Sequence, residues 1–344
     1  MILTGYHLVI FRRRQATSTL PFLEWPGVSI VIAHKNDTNS LIQNLKSIRD
    51  QDYPLFEIIV VDDNSTLVEK ETLASICTEI KNVKVLNASS AGKKNAISQG
   101  VQNAQFEIIL CTDADCSPNS NQWIRTMVQS GRGTQMVLGY SPYRQKNGWL
   151  NQLVRFETSM TAIQYISWAW SGKPYMGVGR NMLYHRSLFT MADAYTNSVP
   201  YGDDDFLVQS AADKTRIKVC VDENAHVYSE PPQALKEWLQ QKHRHLSAAH
   251  HYKKSALFQP GIYGVAFVLH WFLIPILWLW GSEMNWFPVL IAGLLIRWIH
   301  FASWTKTLGN KDLVSWYPFL EIQYAAYLCS MGIFTLVNKK RKWN

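Results

Sequence analysis

The sequence predicts an α/β protein whose mostly parallel, doubly wound sheet is followed by membrane helices near the C-terminal end. Two observations predict the sheet. Short apolar runs such as 28–33 and 56–61 alternate with segments of helical periodicity, and both runs that contain Phe-Glu-Ile-Ile end in a pair of acids. A third observation predicts the membrane part, since nine of the 14 tryptophans lie from Trp238 onward, in or beside the longest apolar segments.

The individual elements follow from the spacing of apolar residues and from the turn residues between them. We predict strands at 28–33, 56–61, 83–87 and 106–111, and helices at 38–52, 66–80, 91–104, about 149–166 (amphipathic) and about 234–254 (basic). Strands and helices that alternate with short loops make a parallel sheet, which binds ligands at the carboxyl ends of its strands. The acids that follow 56–61 and 106–111 should therefore meet at one edge.

The C-terminal segments are apolar enough to enter a bilayer. Residues 261–280 carry one histidine as their single side chain that titrates near neutral pH and are long enough to cross about 30 Å of hydrocarbon. A second span is predicted at 285–304, with Arg297 near one end where its side chain can snorkel. A third crossing at 313–337 would put the basic cluster Lys339–Lys342 outside, against the positive-inside rule. A re-entrant or interfacial third segment is therefore expected.

These patterns divide the chain into three regions of a multi-pass protein of the cell inner membrane or an equivalent membrane. Residues 1–25 are a membrane-proximal anchor or the stub of a longer helix, 26–255 a cytosolic α/β domain, and 256–344 the membrane region. The net charge is +8, and basic clusters that flank apolar segments favour a membrane partner over nucleic acid. The five cysteines form no Cys-x-x-Cys pair, which fits reduced thiols and indicates neither disulfides nor zinc.

The triplet Asp113-Ala114-Asp115 follows the apolar run 106–111. Two carboxylates one side chain apart at a strand end suit a hard divalent cation, Mg²⁺ or Mn²⁺, whose other positions phosphate oxygens can fill. The alternative for so short a triplet is a solvated turn. Its place directly after a buried strand favours a metal site.

Two further segments predict contacts to a nucleotide. Asp62 and Asp63 end the run 56–61, where carboxylates can accept hydrogen bonds from a nucleobase N–H or from ribose hydroxyls. The alternative is a solvated turn or a helix N-cap, because the next two residues are good capping types. The segment "AGKKNA" at 91–96 opens a helix with a glycine and two lysines, so that backbone N–H groups and Lys93 could meet a diphosphate.

Two motifs later in the chain predict acid–base and cation chemistry. The run "GDDDF" at 202–206 packs three acids together, so mutual repulsion should raise at least one pKa, as a general base requires. The alternative is a surface acidic turn. Gln241, Arg244 and His245 share one face of the basic helix, where they would contact substrate or rest on anionic lipid.

Taken in order, these motifs resemble the membrane-bound family 2 glycosyltransferases of GT-A fold, whose better-known branches are hyaluronan synthases, cellulose synthases and ceramide glucosyltransferases. The resemblance covers about residues 26–250 and the helical tail, and five motifs in the same order are far more specific than any one. The five motifs are Asp62-Asp63-Asn64-Ser65, "AGKKNA" at 91–96, Thr112-Asp113-Ala114-Asp115, Gly202-Asp203-Asp204 and Gln241-x-x-Arg244-His245.

The resemblance implies a one-step, inverting transfer of a sugar from a nucleotide-sugar, with UDP as the nucleotide, to an acceptor hydroxyl. It implies a catalytic base at Asp204 with Asp203 beside it, and Mg²⁺ or Mn²⁺ on Asp115 and Asp113. The implied nucleotide-sugar contacts are Ala33, Asp62, Asp63, Lys93, Asp113 and Arg244, and the implied acceptor contacts are Gly177, Val178, Gly179, Gln241 and His245.

One departure from the family bears on the product. Processive members end the last motif in Arg-Trp, beside the acceptor glycan, whereas this chain has His245 and fewer apparent spans than a polymer-secreting channel needs. We therefore expect a single-sugar transferase with a lipid or membrane-associated acceptor, and the alternative is a processive polysaccharide synthase. The motifs are also compatible with a haloacid-dehalogenase-like phosphatase, which likewise uses Asp-x-Asp after a strand, and with a catalytically silent nucleotide-binding membrane scaffold. The sequence predicts neither the sugar nor the oligomeric state.

Overall fold

The structure is a computed structural model that describes residues 24–79, 82–190, 202–249, 251–280 and 287–337. The described residues form two compact units, each made of separate stretches of chain. An α/β unit contains 24–144 and 168–230, and a helical unit contains 145–167 and 231–337. The predicted N-terminal anchor or stub lies almost wholly outside the described residues, and the predicted domain limits stay predictions.

The α/β unit is built on a seven-stranded mixed sheet and a small two-stranded sheet. The strands are β1 Val28–His34, β2 Phe56–Asp62, β3 Val83–Asn87, β4 Ile108–Asp113, β5 Cys116–Pro118, β6 Met136–Gly139, β7 Met182–His185, β8 Ile217–Cys220 and β9 Val227–Ser229. The large sheet has the order β3-β2-β1-β4-β7-β6-β8, and β5 pairs with β9. The first four strands are parallel, whereas β7 runs antiparallel to β4 and β6. The predicted α/β class and mostly parallel sheet are confirmed.

Eleven α-helices are described, and the ones between the first strands match the predicted alternation. In chain order they are α1 Thr38–Arg49, α2 Leu67–Glu79, α3 Lys93–Gln102, α4 Trp123–Ser130, α5 Trp149–Trp170, α6 Arg186–Thr190, α7 Asp203–Ala211, α8 Leu235–Ala249, α9 Lys254–Leu279, α10 Phe287–Leu308 and α11 Tyr317–Val337. Helix α5 belongs to the helical unit through residue 167.

The core of the α/β unit forms because its central strands are covered on both faces. Ile30, Ile32, Val60 and Leu110 are fully buried, and branched aliphatic runs of this kind are typical of parallel strands between two layers of helices. On one side, α1 buries its predicted apolar face of leucine and isoleucine side chains. The strand ends that carry the acids are therefore held by a rigid scaffold.

Several element limits differ from the prediction by a few residues, and two of the differences lie beside a distinctive structural feature. Strand β4 begins at Ile108 rather than at 106, and the ring of Phe106 instead fills the space beside Gly27, where an added Cβ would come within 2.2 Å of it. Helix α3 begins at Lys93 rather than at 91, because Gly92 has a φ of 118°, outside the helical region.

The helical unit is organised around α5. The ring of Phe156 lies 5.1 Å from that of Phe301 on α10, and 5.5 Å and 5.9 Å from those of Tyr317 and Tyr324 on α11. These aromatic contacts have the edge-to-face or tilted geometry that ring quadrupoles favour. Helix α5 was predicted to be amphipathic, but 16 of its 22 residues are buried.

Charged side chains also fix α5 to its neighbours. Both η-nitrogens of Arg155 donate hydrogen bonds of 2.7 Å to the carboxylate of Asp312, in the turn after α10. Glu157 forms an ion pair with Lys242 on α8. Buried pairs of this kind cost desolvation, so they specify one arrangement of the helices more than they add stability.

Among the described residues, one helix, α10, is both long and apolar enough to cross a bilayer. The other two predicted membrane segments lie in α9 and α11, and their spanning and re-entrant arrangements stay predictions. Pro318 does not interrupt α11, because it is the second residue of the helix, where a missing N–H costs nothing. Arg297 was predicted to snorkel but is buried and forms an ion pair with Glu321.

Candidate active site

The carboxyl ends of the three central parallel strands lie level with one another. In the ladders, Ala33 of β1 is opposite Asp113 of β4, and His34 is opposite Asp62 of β2. The side chains that end these strands therefore share one edge of the sheet, where parallel sheets bind ligands. This edge is the candidate site of the α/β unit.

Asp62 is almost fully buried, with 1% of its surface exposed. Its Oδ1 atom lies 3.2 Å from Nδ1 of His34, and its Oδ2 atom accepts a hydrogen bond of 3.1 Å from the backbone N–H of Ser65. Burial alone would raise the pKa of Asp62, but the hydrogen bonds from Ser65 and His34 outweigh it and lower that pKa. Asp62 therefore stays ionised and fixes the loop after β2.

Asp63 ties this loop to the start of α3. Its Oδ1 atom accepts a hydrogen bond of 2.6 Å from the backbone N–H of Gly92, and its Oδ2 atom lies 3.5 Å from the ammonium of Lys35. Because α3 begins directly after Gly92, the carboxylate of Asp63 sets where the helix that carries Lys93 begins.

Lys93 lies between two groups of acids. Its Nζ atom is 2.6 Å from Oδ1 of Asp113, and 54% of its side chain is exposed. Partial desolvation of the ammonium would lower the pKa of Lys93, but the charges of Asp113, Asp203 and Asp204 outweigh this effect and raise the pKa above its ordinary value. The ammonium is therefore held charged beside both groups, where a phosphate oxygen would find a cation.

Asp113, Asp115 and Cys116 form a cluster whose ligand atoms lie within 4.8 Å of one another. The Oδ2 atom of Asp115 accepts a hydrogen bond of 3.2 Å from the hydroxyl of Ser229, and its Oδ1 atom accepts one of 3.3 Å from the thiol of Cys116. Burial, and then the charge of Asp115, raise the pKa of Cys116 well above its ordinary value, so it stays a thiol. The donor set is therefore two carboxylates, which fits Mg²⁺ or Mn²⁺.

The acidic run at 202–206 forms the start of a helix and not a surface turn. Gly202 has a φ of 83° in the left-handed region, and α7 begins at Asp203. The Oδ2 atom of Asp204 accepts a hydrogen bond of 2.9 Å from the backbone N–H of Gly179. Burial, and then the charge of Asp203, raise the pKa of Asp204 to about 6. Repulsion between the acids was predicted to raise this pKa, but burial is the larger cause.

The glycine loop at 177–179 lies against the start of α7. The backbone N–H of Gly177 donates a hydrogen bond of 3.2 Å to Oδ1 of Asp205, one residue after the acid that Gly179 contacts. An added Cβ at Gly179 would lie 3.2 Å from Oδ2 of Asp204, and one at Gly177 would lie 2.6 Å from the sulfur of Met182. The two glycines therefore permit the close approach that positions Asp204.

Asn181 holds the other end of this loop. It is fully buried, and its Oδ1 atom accepts a hydrogen bond of 3.0 Å from the indole N–H of Trp123. Its amide nitrogen donates to the carbonyl oxygens of Tyr140 and Ala225, both at 2.8 Å. One side chain thus joins the glycine loop to three distant segments.

We expect Asn181→Ala to lower the free energy of unfolding by about 3 kcal/mol, because the Trp123 indole N–H and two carbonyl oxygens would be buried without partners. Thermal denaturation followed by circular dichroism measures this change. Asn103→Ala, at an exposed helix end, is the matched control and should change stability by less than about 0.5 kcal/mol. Equal losses in the two variants would contradict the role given to Asn181.

Three predicted site residues lie in the helical unit. Gln241, Arg244 and His245 are on α8, where Arg244 and His245 are exposed and Gln241 is half-buried. The helix is anchored by Trp238, whose ring lies 4.8 Å from that of Tyr327 on α11. The other predicted site residues are in the α/β unit, and the part that α8 plays in the site stays a prediction.

Three residues of the site were not predicted from the sequence: Cys116, Asn181 and Asp205. Asp205 had a signal, since it belongs to the acidic run, and Cys116 directly follows the Asp113–Asp115 triplet. Asn181 had none, because its three partners are 41, 44 and 58 positions away along the chain.

Part of this chain matches a known sequence family. Residues 29–190 match the sequence family described as glycosyl transferase family 2, and this range includes β2, β4, the glycine loop and all of β1 except Val28. The chain contains a family 2 glycosyltransferase domain. The predicted resemblance to family 2 glycosyltransferases is confirmed over this range.

Two curated relatives of this glycosyltransferase domain differ in how much they share with the chain. A beta-monoglucosyldiacylglycerol synthase of Nostoc sp. is 31% identical over 129 residues, which cover 35% of this chain and 26% of the relative. A hyaluronan synthase of Streptococcus pyogenes is 24% identical over 326 residues, which cover 89% of this chain and 73% of the relative. The chain thus spans about a quarter of the length of the first curated relatives that it matches.

A solved structure shares the fold of this chain. It is a mannosyltransferase from Pyrobaculum calidifontis in complex with GDP-Man and Mn²⁺, with a TM-score of 0.50 and 17% identity over 94% of this chain and 95% of that one. The mixed sheet with its flanking helices resembles the GT-A fold, as the motifs predicted.

Proposed function

We propose that this chain is an inverting glycosyltransferase that moves one sugar from a UDP-sugar to a hydroxyl of a lipid or membrane-associated acceptor. The family 2 domain supports transfer from an activated sugar. The observation that carries the proposal is that two separate clusters of acidic side chains act on one lysine. The ammonium of Lys93 contacts Asp113, beside Asp115, and also responds to the charge of Asp204.

The donor half of the proposed site is the edge formed by β1, β2 and β4. Ala33, Asp62 and Asp63 contact the uracil and ribose in this proposal, and Lys93 and Asp113 contact the diphosphate and sugar. The exposed side chain of Lys93 supports this assignment, because a phosphate can reach it. Asp62 is held by His34 and Ser65, so we propose that it acts mainly by fixing the loop that meets the nucleoside.

Asp115 and Asp113 would hold Mg²⁺ or Mn²⁺ in this proposal. The carboxylate donor set supports it, and the mannosyltransferase with the same fold was solved with Mn²⁺. When bound, such an ion offsets the negative charge that develops on the diphosphate as it departs. The hydroxyl of Ser229 and the thiol of Cys116 orient the carboxylate of Asp115 toward this task.

The acceptor half of the proposed site is the start of α7 and the glycine loop 177–179. Asp204 takes the proton of the acceptor hydroxyl while the acceptor oxygen forms a bond to the anomeric carbon. The bond from that carbon to the diphosphate breaks on the opposite side, so the configuration inverts and nucleoside diphosphate leaves. Asp203 keeps the pKa of Asp204 high enough for this role.

We extend the proposal to the helical unit by family resemblance. Arg244 would steady the departing diphosphate, and Gln241 and His245 would contact the acceptor. Helix α10, which is apolar enough to cross a bilayer, supports a membrane location. A multi-pass arrangement with the α/β unit in the cytosol completes the proposal.

A donor screen with the full-length chain in detergent tests the proposed function. The assay measures release of free nucleoside diphosphate from UDP-sugars and GDP-mannose, with a lipid and a glycan acceptor panel. We expect turnover with one UDP-sugar and an inverted anomeric linkage in the product. Binding of donors without any turnover would instead support a silent scaffold. A trapped phosphoenzyme on Asp113 would support the phosphatase alternative.

The raised pKa of Asp204 predicts the pH dependence of the reaction. Because the base must be ionised, kcat/KM should rise about tenfold per pH unit below about 6 and level off above it. Asp203→Asn removes a negative neighbour, so the midpoint should move down by about half a unit or more. Initial rates between pH 4.5 and pH 8 measure both curves. An unchanged midpoint in the variant would contradict the coupling of the two acids.

A processive polysaccharide synthase is the second candidate. The similarity to a hyaluronan synthase over 89% of the chain favours it, whereas His245 in place of the tryptophan of processive members argues against it. Gel filtration of the radiolabelled product distinguishes the two. A product with a single added sugar supports the first proposal, and a long polymer supports the second.

A further inference from the structure

A cationic side chain outside the recognised motifs lies at the acceptor side of the site. Arg180 directly follows the glycine loop, in the short helical turn Gly179–Asn181. Its guanidinium carbon lies 4.7 Å from the ring centre of Tyr143, and one η-nitrogen donates a hydrogen bond of 3.1 Å to the carbonyl oxygen of Ser141. Arg180 is half-buried and is held by packing on one face.

The charge of Arg180 has no ion-pair partner among the described residues. Arg180 has a side-chain hydrogen bond with Tyr143, and the charge of Asp115 acts on it without forming an ion pair. The oxygens of Asp115 accept hydrogen bonds from Ser229 and Cys116, and Asp113 pairs with Lys93. The ε-nitrogen of Arg180 is buried and has no hydrogen-bond acceptor. A partly desolvated guanidinium with an N–H that donates no hydrogen bond costs free energy unless an anion binds to it. Arginine binds phosphate and carboxylate groups through two parallel hydrogen bonds.

A second arginine lies beside the first. Arg144 directly follows Tyr143, forms an ion pair of 3.3 Å with Glu230, and has its guanidinium carbon 5.5 Å from the ring centre of Tyr228. Its backbone N–H donates a hydrogen bond of 3.0 Å to the carbonyl oxygen of Ser229, whose hydroxyl contacts Asp115. Two arginines and two aromatic rings thus lie next to the acids of the site.

The topology of the sheet places this cluster away from the nucleoside. In the order β3-β2-β1-β4-β7-β6-β8, the strands assigned to the nucleoside are on one side of β4, whereas the turn with Arg180 leads into β7 on the other side. The neighbouring residue Gly179 contacts Asp204, the proposed base. An anion bound to Arg180 would therefore lie beside the attacking hydroxyl and not at the nucleoside end.

We propose that Arg180, supported by Arg144, binds an anionic group of the acceptor, so that the acceptor is an acidic molecule with a phosphate or a carboxylate near its reacting hydroxyl. This inference rests on the proposed function and deepens it by naming the acceptor class. Arg144 contributes less than Arg180, because Glu230 already neutralises it and its side chain is half exposed to solvent.

Matched pairs of acceptors test this proposal with the full-length chain in detergent and the donor found by the screen. Phosphatidylglycerol is compared with diacylglycerol for phosphate, and an alkyl glucuronide with the corresponding alkyl glucoside for carboxylate. We expect the anionic member of at least one pair to have a kcat/KM higher by about tenfold or more. The pair that shows the preference identifies the source of the anion.

Substitution of the arginine gives the second arm. Arg180→Gln should raise the KM for the anionic acceptor by about 10- to 100-fold and leave the neutral acceptor and donor hydrolysis unchanged, whereas Arg180→Lys should retain part of the preference. Arg49→Gln, an exposed arginine on α1, is the control and should match the wild-type chain in all assays. Thermal denaturation of each variant verifies that it is folded.

Three outcomes would overturn the proposal. In the first, the neutral and anionic acceptors react equally in both pairs. In the second, Arg180→Gln raises the KM for the neutral and the anionic acceptor of a pair by the same factor. In the third, Arg180→Gln raises the KM for the donor, which would assign Arg180 to the diphosphate. Calorimetric titration with glycerol 1-phosphate and with glucuronate measures anion binding without turnover, so it distinguishes failure of the anion-site proposal from failure of the proposed function. Affinity that falls about tenfold in Arg180→Gln supports the anion site even in a chain without turnover, and equal affinity refutes it.

Discussion

Replacing Asp204 by asparagine is expected to lower kcat by about 10²- to 10⁴-fold, because the acceptor hydroxyl loses the group that removes its proton. Asparagine keeps the size of the side chain, and its amide oxygen can still accept the hydrogen bond from Gly179 that Asp204 accepts at 2.9 Å. The loop and the helix start should therefore stay in place. Initial rates of nucleoside diphosphate release at saturating donor and acceptor measure the loss.

Two further measurements make this result specific. The dissociation constant of the donor should be nearly unchanged in Asp204→Asn, because the proposed donor contacts are on β1, β2 and β4. Asp213→Asn, an exposed acid just after α7, removes a charge of the same sign and should keep wild-type activity. A variant Asp204→Asn that keeps more than about a tenth of the wild-type kcat would refute the general-base assignment.

Replacing Asp115 by alanine, or chelating divalent cations, is expected to reduce nucleoside diphosphate release by about 10³-fold, since ions of this kind supply several kcal/mol of charge stabilisation. Electron paramagnetic resonance during a Mn²⁺ titration measures binding of the ion independently of activity. We expect tight binding in the wild-type chain and weak binding in Asp115→Ala. Release that continues undiminished in the presence of a chelator would contradict the assignment.

Comparison of Asp115 with its neighbours refines the metal assignment. Cys116→Ser keeps a donor beside Asp115 but removes the sulfur, so Mn²⁺ affinity should change little if only the carboxylates hold the ion. A large loss in this variant would make the thiol a ligand. Asp50→Ala, an exposed acid that pairs with Arg49, is the control and should bind Mn²⁺ as the wild-type chain does.

The fold of the α/β unit could be predicted because each of its early elements has a local signal. Branched aliphatic runs mark β1, β2 and β4, and regular apolar spacing marks α1. The acids that end β2 and β4 could be placed on one edge because parallel strands share a direction. The starts of β4 and α3 could not be predicted, because the contact of the Phe106 ring with Gly27 and the φ of 118° at Gly92 are features of the folded chain.

The candidate site was predictable where a motif carried it and hidden where long-range contacts did. Asp113, Asp115 and Asp204 belong to recognisable acidic groups, whereas Asn181 gains its role from partners in three other segments. Arg180 gave no signal either, because an arginine after a glycine loop is ordinary until its surroundings are known. The surroundings of α5 were hidden for the same reason, since they depend on residues 145 to 161 positions later.

The interleaved order of the two units limits how the protein can be shortened for production. Ending the chain after Glu230 would retain the whole α/β unit but delete the helices against which Phe156 and Arg155 pack. Helix α5 would then display its apolar residues to water, and such a fragment should aggregate. A soluble version of the α/β unit would need polar residues on the surface of α5 in addition to removal of the helices after Glu230.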